Sequence, residues 1–232
     1  MKSSVIIPAG GVGKRFGSQV PKQFAELGGI PILVHTIRIF DTVEDVEGIV
    51  IPVHNEWYTF TKELIEKYKC DKVKEVIIGG LERQDSVYNG LLSETVKNSE
   101  IVLVHDAVRP FASPKLVQRI INETEDFGAV IPGIAPKETV KEKTSNGLVV
   151  KTLERNKLSL IQTPQCFWTD VITSAYRKAK EASFFGTDEA SLVEFIGYKV
   201  TVVDGEDENI KITTPFDLKI AELIMKEKFQ SQ

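Results

Sequence analysis

Short runs rich in Val and Ile alternate along the chain with longer stretches whose apolar residues recur at helical spacing. Residues 5–7, 48–53, 73–78, 101–105, 129–132 and 199–203 have few polar interruptions, the pattern of strands covered on both faces. Residues 32–40, 56–69, 84–93, 115–126, 170–182, 188–195 and 216–228 read as helices. Local chemistry supports the boundaries. Ser113-Pro114 and Thr214-Pro215 each put a capping hydroxyl before a first-turn proline, and Asp217 sets an acid near a positive helix end. Gly197 can close the helix that ends near Phe195. Strands separated by helices predict parallel βαβ units, hence an α/β sandwich of three layers.

One segment breaks the alternation. Residues 137–153, KETVKEKTSNGLVVKTL, are polar and β-branched around Asn146-Gly147, a strong short-range hairpin signal. The segment predicts a two-stranded arm outside the main core, which is either solvated or laid on a partner subunit. With no repeat or linker elsewhere, residues 1–232 read as one domain carrying an arm at 137–153.

Composition narrows the function classes. The two cysteines, Cys70 and Cys166, form no CxxC pair, and three histidines make no His-rich metal site, so a disulfide scaffold and a zinc finger are excluded. The formal net charge of −4 argues against a broad nucleic-acid footprint, so an anionic ligand must be held by a few placed cations and backbone amides. No apolar run reaches the ~18–20 residues of a membrane span, and the start has no leader-like core. The expectation is a cytoplasmic protein without membrane or nucleic-acid partners.

Three segments can carry chemistry. The first strand runs into Pro8-Ala9-Gly10-Gly11-Val12-Gly13-Lys14-Arg15, followed by Pro21-Lys22-Gln23. Glycines there allow a tight turn and aim N–H groups at an anion. The stretch is neither GxxxxGK[ST] nor GxGxxG, since the sixth position from Gly11 is Phe16. Its mark is two cations, Arg15 and Lys22, close to the amides, which would suit a triphosphate; a glycine loop with surface cations is the plainer alternative. Gly79-Gly80-Leu81-Glu82-Arg83-Gln84-Asp85-Ser86 also follows a strand, and reads as a second wall of one crevice or as a turn. Third, Val104-His105-Asp106-Ala107-Val108-Arg109-Pro110 ends a strand in a carboxylate, the type of group that holds Mg²⁺ together with substrate phosphates. His105 reads as packed. Farther on, Arg155, Thr187 and Lys211 could hold a second anion.

Taken in order, AGGVGKRFGSQVPKQF, GGLERQDSV, HDAVRPF, ERN around Arg155, QTPQCF, TDEAS and ENIKITTPFDL resemble the 2-C-methyl-D-erythritol 4-phosphate cytidylyltransferase family over nearly the whole chain. The resemblance implies a three-layer Rossmann-like nucleotidyltransferase fold with a mostly parallel sheet and a protruding β-hairpin arm that pairs two copies. It implies a reaction of CTP with a polyol phosphate, with Mg²⁺, giving a CDP-polyol and pyrophosphate for isoprenoid precursor biosynthesis. By position, Arg15 and Lys22 would stabilise the transition state. Pro8, Ala9, Gly10, Gly11, Gly13, Gly80, Leu81, Ser86, Asp106 and Ala107 would bind CTP, with Asp106 also at the metal. Arg155, Lys211, Arg109, Thr139 and Thr187 would bind the acceptor's phosphate.

This chain departs from the family's usual pattern at Pro8-Ala9-Gly10-Gly11, at Leu81 where an acid is common, and at Glu208 where Asp is common. A sister group makes CDP-ribitol from ribitol 5-phosphate and shares several of these motifs. A non-catalytic nucleotide-binding protein and a dehydrogenase are the alternatives of other classes, and the second lacks its glycine motif. The acceptor's phosphate is already an anion, so the implied reaction requires no general base, in keeping with the absence of a recognisable nucleophile triad.

Overall fold

The computed structural model describes residues 1–11 and 20–230. In chain order its elements are β1 (Ser3–Ile6), β2 (Glu26–Leu27), β3 (Ile30–Pro31), α1 (Ile32–Asp41), β4 (Val46–Val53), α2 (Tyr58–Tyr68), β5 (Val73–Ile78), α3 (Arg83–Leu91), α4 (Glu94–Lys97) and β6 (Ile101–Val104). There follow α5 (Pro114–Phe127), β7 (Ala129–Ile134), β8 (Lys141–Lys143), β9 (Val149–Thr152), β10 (Leu160–Ile161), β11 (Gln165–Trp168), α6 (Thr169–Glu181), α7 (Glu189–Phe195), β12 (Thr201–Asp204) and α8 (Pro215–Gln230).

The main sheet is parallel from β5 through β4 and β1 to β6, and β12 adds to β7 in parallel. Successive residues of one strand serve opposite layers. In β6, Ile101 and Leu103 pack with α1, α2 and α5, whereas Val102 and Val104 pack with α3, α4, α6 and α7. This is why the strand reads as continuously apolar. The expected three-layer α/β architecture is borne out. A third apolar cluster, around Ile32, Phe111, Ile212 and Ala221, seats α8 beside the sheet.

The caps act as their chemistry predicts. Ser113 Oγ accepts from the Leu116 amide at 3.0 Å ahead of Pro114, and Gly128 closes α5 at φ 76°. Residues 165–168 depart from the expected alternation. They form β11, which runs antiparallel between β6 and β7. Its four residues, QCFW, enter directly after Thr163-Pro164 and pass straight into α6, so no helical crossover announces the strand.

The arm forms where the Asn-Gly signal put it. β8 and β9 pair antiparallel across a turn with Gly147 at φ 88°, and pair with no strand of the main sheet among the described residues. Every residue of the two strands is exposed, as are Leu148, Val149 and Val150, so the arm stands off the core.

Candidate active site

A crevice of about 450 Å³ opens where the loops after β1, β5 and β6 meet. Pro8, Ala9, Gly10 and Gly11 form one wall, Gly80, Leu81 and Ser86 line it from the loop after β5, and Asp106 and Ala107 from the end of β6. Lys22 and Lys211 line it as well. Gly13 and Arg15 lie outside the described residues.

The glycine loop is anchored from within. Ala9 donates its amide to the Pro52 carbonyl at 2.7 Å, extending β1 past its last paired strand residue. The buried Gln23 amide then donates to the carbonyls of Ala9, at 2.6 Å, and Gly11, at 3.0 Å. Two carbonyls are thereby pinned on the protein side. Gln23 sits in the short turn Lys22–Phe24, so the same turn that fixes the loop places Lys22, half-buried, at the crevice. The sequence had offered Gln23 only as part of a motif.

The loop after β5 is ordered by a hydroxyl. Ser86 Oγ accepts from the Gly80 amide at 3.0 Å and donates to the Glu82 carbonyl at 3.1 Å. Asp85 accepts from the Glu82 amide at 3.1 Å and fastens the first turn of α3. Leu81 is 99% exposed at the rim. His54 also lines the crevice, with no motif around it to announce it.

Asp106 is the charged centre. Its Oδ2 lies 3.0 Å from Lys211 Nζ and 3.2 Å from Arg109 Nε, and its Oδ1 lies 3.5 Å from Arg83 Nε. Burial works against its ionisation, but Arg83, Lys211 and Arg109 hold the carboxyl well below the ordinary range. Arg83 was not singled out from sequence. Its guanidinium forks onto the fully buried Glu189, at 2.6 and 3.1 Å. Arg109 spends its other contact on the Asn209 carbonyl at 2.6 Å and does not line the crevice.

Behind Asp106 stands His105, buried as expected. Its Nε2 is 3.0 Å from the Arg109 carbonyl, which can only accept, so this nitrogen carries the hydrogen. In the neutral ring Nδ1 then accepts from Thr163 Oγ1 at 3.1 Å, and that oxygen in turn accepts from the Asp106 amide at 3.0 Å. Burial lowers the His105 pKa from 6.5 to about 4. Between these values the unfolded chain binds the proton and the folded chain does not, so stability falls as pH falls. A loss of about 3 kcal/mol is expected from pH 6.5 to 4. The urea midpoint measured across this range checks it, and His105→Gln should flatten the slope. Asp106 contributes only below the ordinary carboxylate range.

The remaining acceptor-site residues divide. Lys211 lines the crevice, whereas Arg155, Thr139 and Thr187 are exposed and do not. Arg155 donates to the Lys137 carbonyl at 2.8 Å, at the foot of the arm. Glu208 pairs with Lys228 at 2.9 Å. For a divalent cation, the described residues contain no cluster of three His, Cys, Asp or Glu side chains. Asp106, one ionised carboxylate already shared by cations, would be compatible only with an ion held chiefly by substrate phosphates and water.

A family model, IspD: 2-C-methyl-D-erythritol 4-phosphate cytidylyltransferase, matches residues 3–227. The chain belongs to this family. The nucleotidyltransferase class and the isoprenoid-precursor role expected from the motifs stand with it. Cytidylyltransferases of this name from Bacillus mycoides and Syntrophus aciditrophicus are 46% and 43% identical over 219 and 228 residues. The alignments cover 94% of this chain and 96% of the first relative, and 98% and 97% for the second. A 4-diphosphocytidyl-2C-methyl-D-erythritol synthase from Anaerococcus prevotii superposes with a TM-score of 0.84 at 34% identity, covering 97% of this chain and 96% of that one. The Thermus thermophilus cytidylyltransferase gives 0.81 at 30%, covering 97% and 100%. Among the described residues of this cytidylyltransferase-family chain, no helix is long and apolar enough to cross a membrane.

Proposed function

We propose that this family member joins CTP to 2-C-methyl-D-erythritol 4-phosphate at the crevice, forming 4-diphosphocytidyl-2-C-methyl-D-erythritol and pyrophosphate. A phosphate oxygen of the acceptor attacks the α-phosphorus of CTP; that bond forms as the bond to the bridging oxygen of pyrophosphate breaks. Two polyanions must meet, and alignment with charge stabilisation is the whole of the catalytic task. The supporting observation is that the glycine-loop residues, Lys22 and Lys211 line one crevice on an acidic chain.

The loops carrying Pro8 to Gly11 and Gly80 to Ser86 hold the cytidine part and its phosphates, largely through backbone groups. Lys22, with Arg15 by resemblance, faces the charge that develops at the α-phosphorus. Lys211, steadied by Asp106, receives the acceptor's phosphate. Asp106 would hold a magnesium ion, which would supply further neutralisation of the triphosphate.

Arg155 and Thr139 stand on the arm side, away from this crevice. They serve the acceptor if two copies pair through the arm, for which the exposed Leu148, Val149 and Val150 offer an apolar contact. The whole chain then acts as one catalytic domain plus arm, in a homodimer within the cytoplasm.

The test is pyrophosphate release with CTP and a panel of methylerythritol phosphate and ribitol phosphate. Turnover with the first at least tenfold above the second is expected; preference for ribitol phosphate overturns the acceptor assignment. Gly80→Ala tests the CTP wall. A Cβ at Gly80 would lie 2.1 Å from the Asp85 Cβ and 3.0 Å from its backbone carbon, so the first turn of α3 must shift. The CTP KM should rise by about tenfold, equivalent to ~1.4 kcal/mol.

A further inference from the structure

The Arg83–Glu189 pair is separated by 106 residues in sequence and joins the first turn of α3 to the first turn of α7. Its surroundings are built to hold it. Tyr176, buried on α6, donates its hydroxyl to Glu189 Oε1 at 3.0 Å. Gln165 fixes the start of α7 by donating to Asp188 at 2.8 Å and accepting from the Ala190 amide at 3.0 Å. Gln84, next to Arg83, ties the same two regions, donating to the Phe184 carbonyl at 3.1 Å and accepting from the Gly186 amide at 3.0 Å.

Between Glu189 and Asp106 the guanidinium is unequally shared. Glu189 takes both Nη groups, whereas Arg83 Nε stays 3.5 Å from Asp106, beyond a good hydrogen bond. An unrestrained Arg beside a carboxylate favours the two-pronged pair, which would draw Asp106 away from Lys211. We propose that Glu189, braced by Tyr176, is a positioning residue: it holds Arg83 back from Asp106, so that Asp106 stays committed to Lys211 and sets that lysine for the acceptor's phosphate. The inference rests on the reading that Lys211 receives this phosphate.

Steady-state kinetics of pyrophosphate release test it, with CTP and methylerythritol phosphate varied separately. Glu189→Gln frees Arg83 to pair with Asp106. It should raise the acceptor KM by about tenfold and leave the CTP KM within about twofold. The double variant Arg83→Gln/Glu189→Gln removes both charges together, leaving neither buried alone, and should restore most of the acceptor KM. Tyr176→Phe weakens the brace without touching the ion pair, and should raise the acceptor KM by roughly two- to threefold. This variant carries the test if Glu189→Gln does not fold.

An unchanged acceptor KM in folded Glu189→Gln overturns the proposal, as does an unchanged value in Tyr176→Phe where that variant carries the test. So does a double variant worse than the single one, which would make Arg83 itself a phosphate ligand. A wild-type protein that releases no pyrophosphate with any acceptor instead defeats the functional reading, and the two failures are thereby told apart.

Discussion

Lys22→Ala is expected to lower kcat by about 10²–10³, equivalent to ~3–4 kcal/mol, with the thermal unfolding transition near that of the wild type. The two outcomes separate because neighbouring residues have different tasks. Phe24 is buried in the core cluster beneath α1, and Gln23 holds the loop carbonyls. Lys22, between the glycine loop and these anchors, is half-buried and lines the crevice. Losing its charge therefore removes stabilisation where two anions meet while leaving packing in place. Lys22→Arg should recover only part of the rate, because a planar fork does not occupy the place of a compact ammonium. Measured kcat for Lys22→Ala at the wild-type level would refute the role.

The strands and the crevice were legible in the sequence to different depths. Strands covered on both faces announce themselves by unbroken apolar runs, and helices by caps, so β1, β4, β6 and the arm could be read locally, whereas β5, at the sheet edge, is only partly buried. β11 could not. Gln165–Trp168 acquires strand character only because β6 and β7 lie on either side of it, a tertiary circumstance without a local signature. Its Gln and Cys also interrupt any alternation that would have marked it.

The same distinction governs the site. Glycines after a strand and a strand ending in Asp are local signals, and the structure brings Gly10, Gly80 and Asp106 to one crevice. Glu189, in contrast, looks from sequence like an acid in a helix's first turn, where an acid favours the helix end anyway. Its engagement with Arg83 requires α3 and α7 to pack on the same face of the sheet. Gln23 was similarly silent: only the curl of the chain around residues 8–11 gives its amide two carbonyls to hold.

The second large effect concerns Asp106. Asp106→Asn should destabilise the fold by about 3–5 kcal/mol, because it leaves Arg83, Arg109 and Lys211 around a buried position without their shared counter-charge. Arg83 and Arg109 have other partners in Glu189 and the Asn209 carbonyl, which places the expected cost toward the lower end of that range. The crevice also becomes more positive by one unit of charge. Without a divalent cation, ground-state anions should then bind more tightly even as turnover falls, since attraction shared equally by substrate, product and transition state does not raise kcat. Calorimetric binding of pyrophosphate without divalent cation is the measurement: its dissociation constant should drop by about tenfold in Asp106→Asn. A constant that rises under these cation-free conditions would refute the electrostatic reading of Asp106.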